Sequence, residues 1–493
     1  MSACRVNTPS QIRTWVCAVI LFCALGERSQ AQTFTKLLDF DSTSGQYPET
    51  PLAQGLDGNF YGTTAGSGAY GQGTFFQMTP AGTVTPLYDF CRSNVTGCPD
   101  GAVPTGPIAL GPDGNFYGAT AGSPATGLGY GTLYKMTPGG GLTTLHNFCS
   151  LPECRDGGQF TLSGLTLAQN GSFYGIAGAS PHDWGRVFHL SATGSYTVLK
   201  VVCPARVCPT NAGPSATPLL QASGGYLVGH GLGGANNASA IYRMTPHGDS
   251  TIVYSFCQYG GSCHDPIGDS TSELIQTPSG NFVGVSTYGG AGFYCKDTSS
   301  PSCGTAFRIN GNGTLTRLHD FCNWADCQDG SNPAAILQAT DGNFYGVSTF
   351  GGNRGGTIFK LTVGGVFSVL YSFSGPDGFS PTTLIQATDG NLYGTTFFGG
   401  ANSGGVVFRL ALGLGPFVKT VQSGGKAGDS IIILGNNLGL ATNVTFNGVA
   451  ATFSNLSGTE ITATVPVGAS SGKIQVVTPA ATLSSNVAFT VLH

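Results

Sequence analysis

Apolar and polar residues alternate in short runs along most of the chain, and the runs are separated by Gly, Asp, Asn and Pro. A period of two with this punctuation predicts β-strands joined by tight turns. In one representative stretch, residues 335–338, 343–348, 357–362 and 366–373 form four such runs, A to D. Asp341-Gly342 lies between A and B, and Gly364-Gly365 between C and D. Both dipeptides predict two-residue hairpins with positive φ at both central positions.

The same four-run unit repeats. A motif of the form D-G-N-F-Y-G ends at Gly62, Gly118, Gly175, Gly229, Gly284, Gly346 and Gly394, and each copy is followed by a second motif, G-T-x-F-x-x-T, as at Gly73–Thr79 and Gly356–Thr362. A period of roughly 50 residues with four strands per repeat predicts the blades of a β-propeller. The seventh repeat reaches its C run at residues 406–410 and then enters Gly413-Leu414-Gly415-Pro416 without a D run. A spare D-like sequence, Leu37-Leu38-Asp39-Phe40, precedes the first A run and matches Leu87-Tyr88-Asp89-Phe90. Pairing it with the last C run would complete a seventh blade and leave no bare sheet edge. Residues 33–412 are thus expected to form a seven-bladed propeller.

Composition narrows the picture. Of 493 residues, 78 are Gly and only 9% are charged, and the net charge is −4 with no basic stripe, which argues against nucleic acid as a partner. Residues 1–31 read as a signal peptide, with Arg5 and Arg13 ahead of an apolar run and a small-residue site at Ala31. A secreted or cell-surface location is therefore expected, with no membrane span after cleavage. Beyond that segment lie six close cysteine pairs: Cys91/Cys98, Cys149/Cys154, Cys203/Cys208, Cys257/Cys263, Cys295/Cys303 and Cys322/Cys327. One pair per repeat, never CxxC, suits disulfides in an oxidising compartment better than a zinc site.

The repeats resemble the glycine-rich GloVer (Gloeo/Verruco) tandem repeats of exported bacterial proteins, on segments such as Asp389-Gly390-Asn391-Leu392-Tyr393-Gly394-Thr395-Thr396 and Gly356-Thr357-Ile358-Phe359-Lys360-Leu361. That resemblance implies an exported surface protein and no established activity. Residues 416–493 form short alternating strands, among them Ile431-Ile432-Ile433-Leu434 and Ile474-Gln475-Val476-Val477. They resemble an IPT/TIG domain, which implies an immunoglobulin-like sandwich used as a spacer, dimerising or adhesion module. The expected architecture is all-β, a propeller followed by this sandwich.

Strand direction puts the A–B and C–D hairpins at one face and the B–C loops and D–A links at the other. The repeated Asp57, Asp113, Asp341 and Asp389 fall on the hairpin face, where turn chemistry accounts for them without a metal. The link face carries the cysteine pairs and both tryptophans beyond the signal, Trp184 and Trp324, with His182, Asp183 and Asp326 beside them. These five are the candidate ligand-binding residues, because aromatic rings on braced loops lose little entropy on binding; the alternative is that both Trp pack locally. No G-x-S-x-G, H-E-x-x-H or Walker motif occurs, and no catalytic residue, cofactor or metal is expected. A binding or adhesion role toward extracellular glycan or protein is favoured, with a structural spacer or a polysaccharide-acting propeller enzyme as the other readings.

Overall fold

The computed structural model describes residues 32–492 apart from 93–96, 123–126, 128, 159–163, 179–182, 204–212, 215–217, 235–238, 257–270 and 291–302. The segment read as a signal peptide lies outside the described residues. The chain is all-β: seven antiparallel meander sheets run from Thr33 to Ala411, and an immunoglobulin-like module follows. In the sixth sheet, strands A to D are Ser331–Gln338, Phe344–Phe350, Thr357–Leu361 and Phe367–Ser372. Each A strand packs beside the next, so the A strands line the centre of a propeller.

The seventh sheet is completed from the other end of the chain. Thr33–Asp39 pairs antiparallel with Val406–Ala411 as its outermost strand. Phe34 also stacks on Tyr371 of the sixth sheet, with centroids 3.7 Å apart. The seam between the seventh and first sheets is built like its neighbours. Tyr393 packs on Phe60 at 4.4 Å, as Tyr61 does on Phe116 at 4.3 Å and Tyr117 on Phe173 at 4.2 Å. Gln54 Nε2 donates to Thr388 Oγ1 (3.0 Å) and Thr388 N–H to Gln54 Oε1 (3.1 Å), a pair repeated between Gln386 and Thr340.

The two sequence motifs are halves of one contact. The last glycine of each first motif stands opposite the aromatic of the second: Gly62 pairs with Phe76 and Gly346 with Phe359. A methyl group at Gly62 would lie 2.6 Å from the Phe76 ring, so only glycine admits the aromatic across the strand pair. The first three B strands, buried along their length, are gripped on both sides.

The A–B turns differ from the expected two-residue hairpin. Gly342 N–H bonds the Ala339 carbonyl and Ala339 N–H the Asn343 carbonyl, and only Gly342 has positive φ (81°). This is a type I turn closed by a left-handed glycine, the three-residue alternative. Gly364-Gly365 is corrected likewise, with positive φ at Gly365 alone. Asp341 is free of the backbone role assigned to it and works through its side chain. It accepts Asn343 N–H (3.1 Å), Asn343 Nδ2 (2.8 Å) and the Tyr345 hydroxyl (2.9 Å). Asp57, Asp113 and Asp389 hold Tyr61, Tyr117 and Tyr393 in the same way. Burial, reinforced by the facing carboxylate, pushes these phenols above their ordinary range. Burial alone would raise Asp113 and Asp341, but the bonds from Asn and Tyr outweigh it and leave both lowered.

The C-terminal module is a sandwich around Ile431, Ile433, Val444, Phe446, Ile461, Ile474 and Val476. It sits on the hairpin face of the propeller. Thr459 Oγ1 donates to the Leu56 carbonyl (2.6 Å), Gln169 Nε2 to Thr490 Oγ1 (3.1 Å), Asn436 Nδ2 to Thr388 Oγ1 (2.9 Å) and Phe417 N–H to the Thr388 carbonyl (3.0 Å). Leu434, 2% exposed, lies outside the sandwich core and faces the propeller.

Two outcomes follow from this packing. Deleting residues 33–39 bares the edge of the last C strand, so the melting temperature should drop sharply or the product should aggregate; an unchanged melt of a monomer would contradict the closure. Because Asp113 and Asp341 have lowered folded-state values, their stabilisation is complete above about pH 4 and is lost as the pH falls through those values. Urea midpoints should therefore fall on acidification, and less so in the double variant Asp113→Asn, Asp341→Asn; parallel pH profiles would contradict this.

Candidate binding face

Among the described residues, four D–A connections of the link face are each organised by a carboxylate. Asp329, fully buried, accepts Asn323 N–H (3.0 Å) and Trp324 N–H (3.1 Å), and stands 3.0 Å from His319 Nε2. Asp156 does the same for Ser150, Leu151 and His146, and Asp100 for Arg92 and the Tyr88 hydroxyl. Burial lowers His146, with Asp156 opposing it. His146 and His319 lie flat on Tyr196 (4.0 Å) and Phe367 (3.6 Å). The link into the seventh sheet lacks cysteines and keeps the design: Ser374 N–H and Tyr371 bond Asp377. Burial would raise Asp377, but these bonds outweigh it and lower its carboxyl.

Disulfides then staple the turns. Cys91–Cys98, Cys149–Cys154 and Cys322–Cys327 are bonded, with Cα atoms 4.7, 3.9 and 4.0 Å apart. Cys203 and Cys303 are also disulfide-bonded. Cys208, Cys257, Cys263 and Cys295 lie outside the described residues.

The expected ligand residues separate. Trp184 and Trp324 are exposed, at 45% and 44%, in the third and sixth repeats. Trp324 stands edge-on to Phe367 at 5.9 Å, with exposed Asp326 on the same turn. Asp183 is buried (1%) in an ion pair with Arg186, whose guanidinium also bonds the Cys154 carbonyl. Its carboxylate thus braces a B–C loop against the preceding link and is turned away from solvent. His182 lies outside the described residues.

A second aromatic set was not anticipated. Tyr288, Phe350 and Phe398 occupy equivalent positions at the end of strand B in sheets five, six and seven, and are 49%, 45% and 42% exposed. The equivalence is fixed by a repeated bond: Ser286, Ser348 and Thr396 each donate their hydroxyl to the carbonyl of the aromatic two residues on (2.8, 3.0 and 2.8 Å). Phe350 meets Phe379 edge-on at 6.3 Å, and Phe398 meets Tyr47 at 5.7 Å. Beside Phe398 opens a cleft of about 490 Å³ bounded by Lys36, Pro376, Phe379, Gly399 and Ser403. Lys36 is held at 2.8 Å by Asp39, leaving the cleft nearly neutral. The signal in the sequence is S/T-x-aromatic-Gly-Gly at 286–290, 348–352 and 396–400, which reads as ordinary repeat composition.

The link carboxylate gives a direct test. Asp329→Ala strands two backbone N–H groups and His319, so it should cost roughly 2–4 kcal/mol in urea unfolding; a loss below about 0.5 kcal/mol would remove Asp329 from its organising role.

No curated protein matches the sequence. Among solved structures, the extracellular domain of a hybrid two component system from B. thetaiotaomicron is similar over 90% of this chain and 52% of its own, at 14% identity and TM-score 0.49. PorZ, a surface component of the type-IX secretion system of Porphyromonas gingivalis, is similar over 92% and 61%, at 16% identity and TM-score 0.46. PQQ-bound aldose sugar dehydrogenase from Streptomyces coelicolor is similar over 77% and 98%, at 14% identity and TM-score 0.38. This chain spans about half the length of the first of these. The model of the Gloeobacter/Verrucomicrobia repeat matches residues 27–179, 99–296 and 271–434, and that of the IPT/TIG domain matches 416–491. The chain belongs to the Gloeobacter/Verrucomicrobia repeat family and carries an IPT/TIG domain at its C-terminal end.

Proposed function

We propose that this is an exported, non-catalytic binding or adhesion protein whose link face recognises an extracellular glycan, with a protein surface as the alternative ligand. The observation that carries the reading is the set of exposed rings Tyr288, Phe350 and Phe398 at one position of three successive sheets, beside a nearly neutral cleft. Rigid aromatic faces bind the apolar faces of sugars at small entropic cost. Trp184 and Trp324 add outer contacts on the same face. The link carboxylates Asp100, Asp156, Asp329 and Asp377 are committed to their own turns, which favours binding over acid–base chemistry on a sugar. Disulfide-stapled links suit an oxidising, extracellular setting.

A glycan array probed with the full chain is the test. Against a glycan that binds, Phe350→Ala and Phe398→Ala should each lose about 1–3 kcal/mol. Trp184→Ala and Trp324→Ala should lose less, and Asp341→Asn on the hairpin face should change nothing. Binding abolished by Asp341→Asn and untouched by the ring substitutions would place the site on the wrong face, and a blank array would favour a protein ligand.

A further inference from the structure

The inner strands and the C-terminal module border a second, partly open cavity. It measures about 350 Å³ and is ringed by Ala53, Ala109 and Ile385 at equivalent depths of three A strands, with Leu110 and Leu167 one step nearer the module. Five of the seven A strands end on Gln at that step: Gln54, Gln221, Gln276, Gln338 and Gln386; only the second and third carry Leu. The module lines the cavity with Lys419, Val421 and Leu434. Neighbouring Val418 is buried in the sandwich core, so strand alternation turns Lys419 outward, toward the propeller.

We propose that this cavity binds a small carboxylate with a compact apolar body, its charge held by the Lys419 ammonium. Lys419 is half-buried against the cavity, and among the described residues no hydrogen-bond acceptor or carboxylate partners it. Burial alone pushes it down to about 8. An ammonium facing aliphatic walls is costly without a counter-charge. The walls offer none. Gln54 is committed to Thr388, and the Asp57, Asp113 and Asp389 carboxylates of the adjoining turns are committed to their own Asn and Tyr. Glu460 lies in register with Lys419 on the same face of the module's sheet, but two strands away, with Leu434 between them. The volume falls at the small end of the ~300–1,000 Å³ of ligand pockets, and one cation with apolar walls suits a monoanion better than a phosphate dianion.

The test is calorimetry of the full chain with phenylacetate and hexanoate, against phenylacetamide and hexanamide. At pH 6.5 at least one acid should bind tenfold or more tighter than its amide. At pH 9.5, where the amine is neutral, that preference should disappear. Lys419→Met should abolish acid binding while melting at or above the wild-type temperature at pH 7, since it removes a solitary desolvated charge, and Phe350→Ala should leave acid binding intact. Equal binding of amide and acid, acid binding that survives Lys419→Met, or no binding of either acid at millimolar concentration would each overturn the proposal.

Discussion

Everything in the propeller depends on the pairing of Thr33–Asp39 with Val406–Ala411, because a ring of sheets is stable only if its last seam is as good as the others. A strand missing from the seventh sheet would leave a row of unpaired backbone groups and uncover Tyr371, Phe373 and Phe408, the rings that Phe34 packs against. The chain meets the constraint by spending its first strand on its last sheet. The Gln54–Thr388 exchange and the Tyr393–Phe60 contact then make the closing seam chemically like its neighbours.

Closure also creates two unlike faces. On one, Asp, Asn and Tyr of four A–B turns are bound to one another, leaving little free chemistry. The C-terminal module docks there, where Leu110 and Leu167 replace the usual Gln and Leu434 supplies the facing apolar side chain. On the other face, link carboxylates and cystines fix loops whose outward residues differ between repeats. Variation on a rigid frame is where specificity can be built.

The strands, the swapped closing strand and three of the local cysteine pairs were legible in the sequence because each rests on near-neighbour spacing or on a repeat that exposes its own gap. Position 341 shows the limit. Asp-Gly is compatible with two hairpin types, and the one formed leaves the Asp341 side chain to accept the Tyr345 hydroxyl. Asp183 misled for a similar reason: a loop aspartate beside a tryptophan looks solvated until Arg186 and the Cys154 carbonyl are brought to it by the fold. The aromatics at 288, 350 and 398 hid within a repeat rich in Phe and Tyr, where most rings are core, and nothing in the spacing says which three face water. Lys419 was invisible because its setting exists only when two domains meet.

The central claim is that the hairpin face is given to the C-terminal module while the link face stays free for ligand. Hydroxyl-radical footprinting of the intact chain tests it most directly. Leu434 should be as unreactive as Ile433 of the sandwich core, while Tyr288, Phe350 and Phe398 oxidise readily and the exposed Leu440 and Leu456 of the same module serve as references. Leu434 labelled as fast as Leu440, or Phe350 and Phe398 protected, would contradict the account.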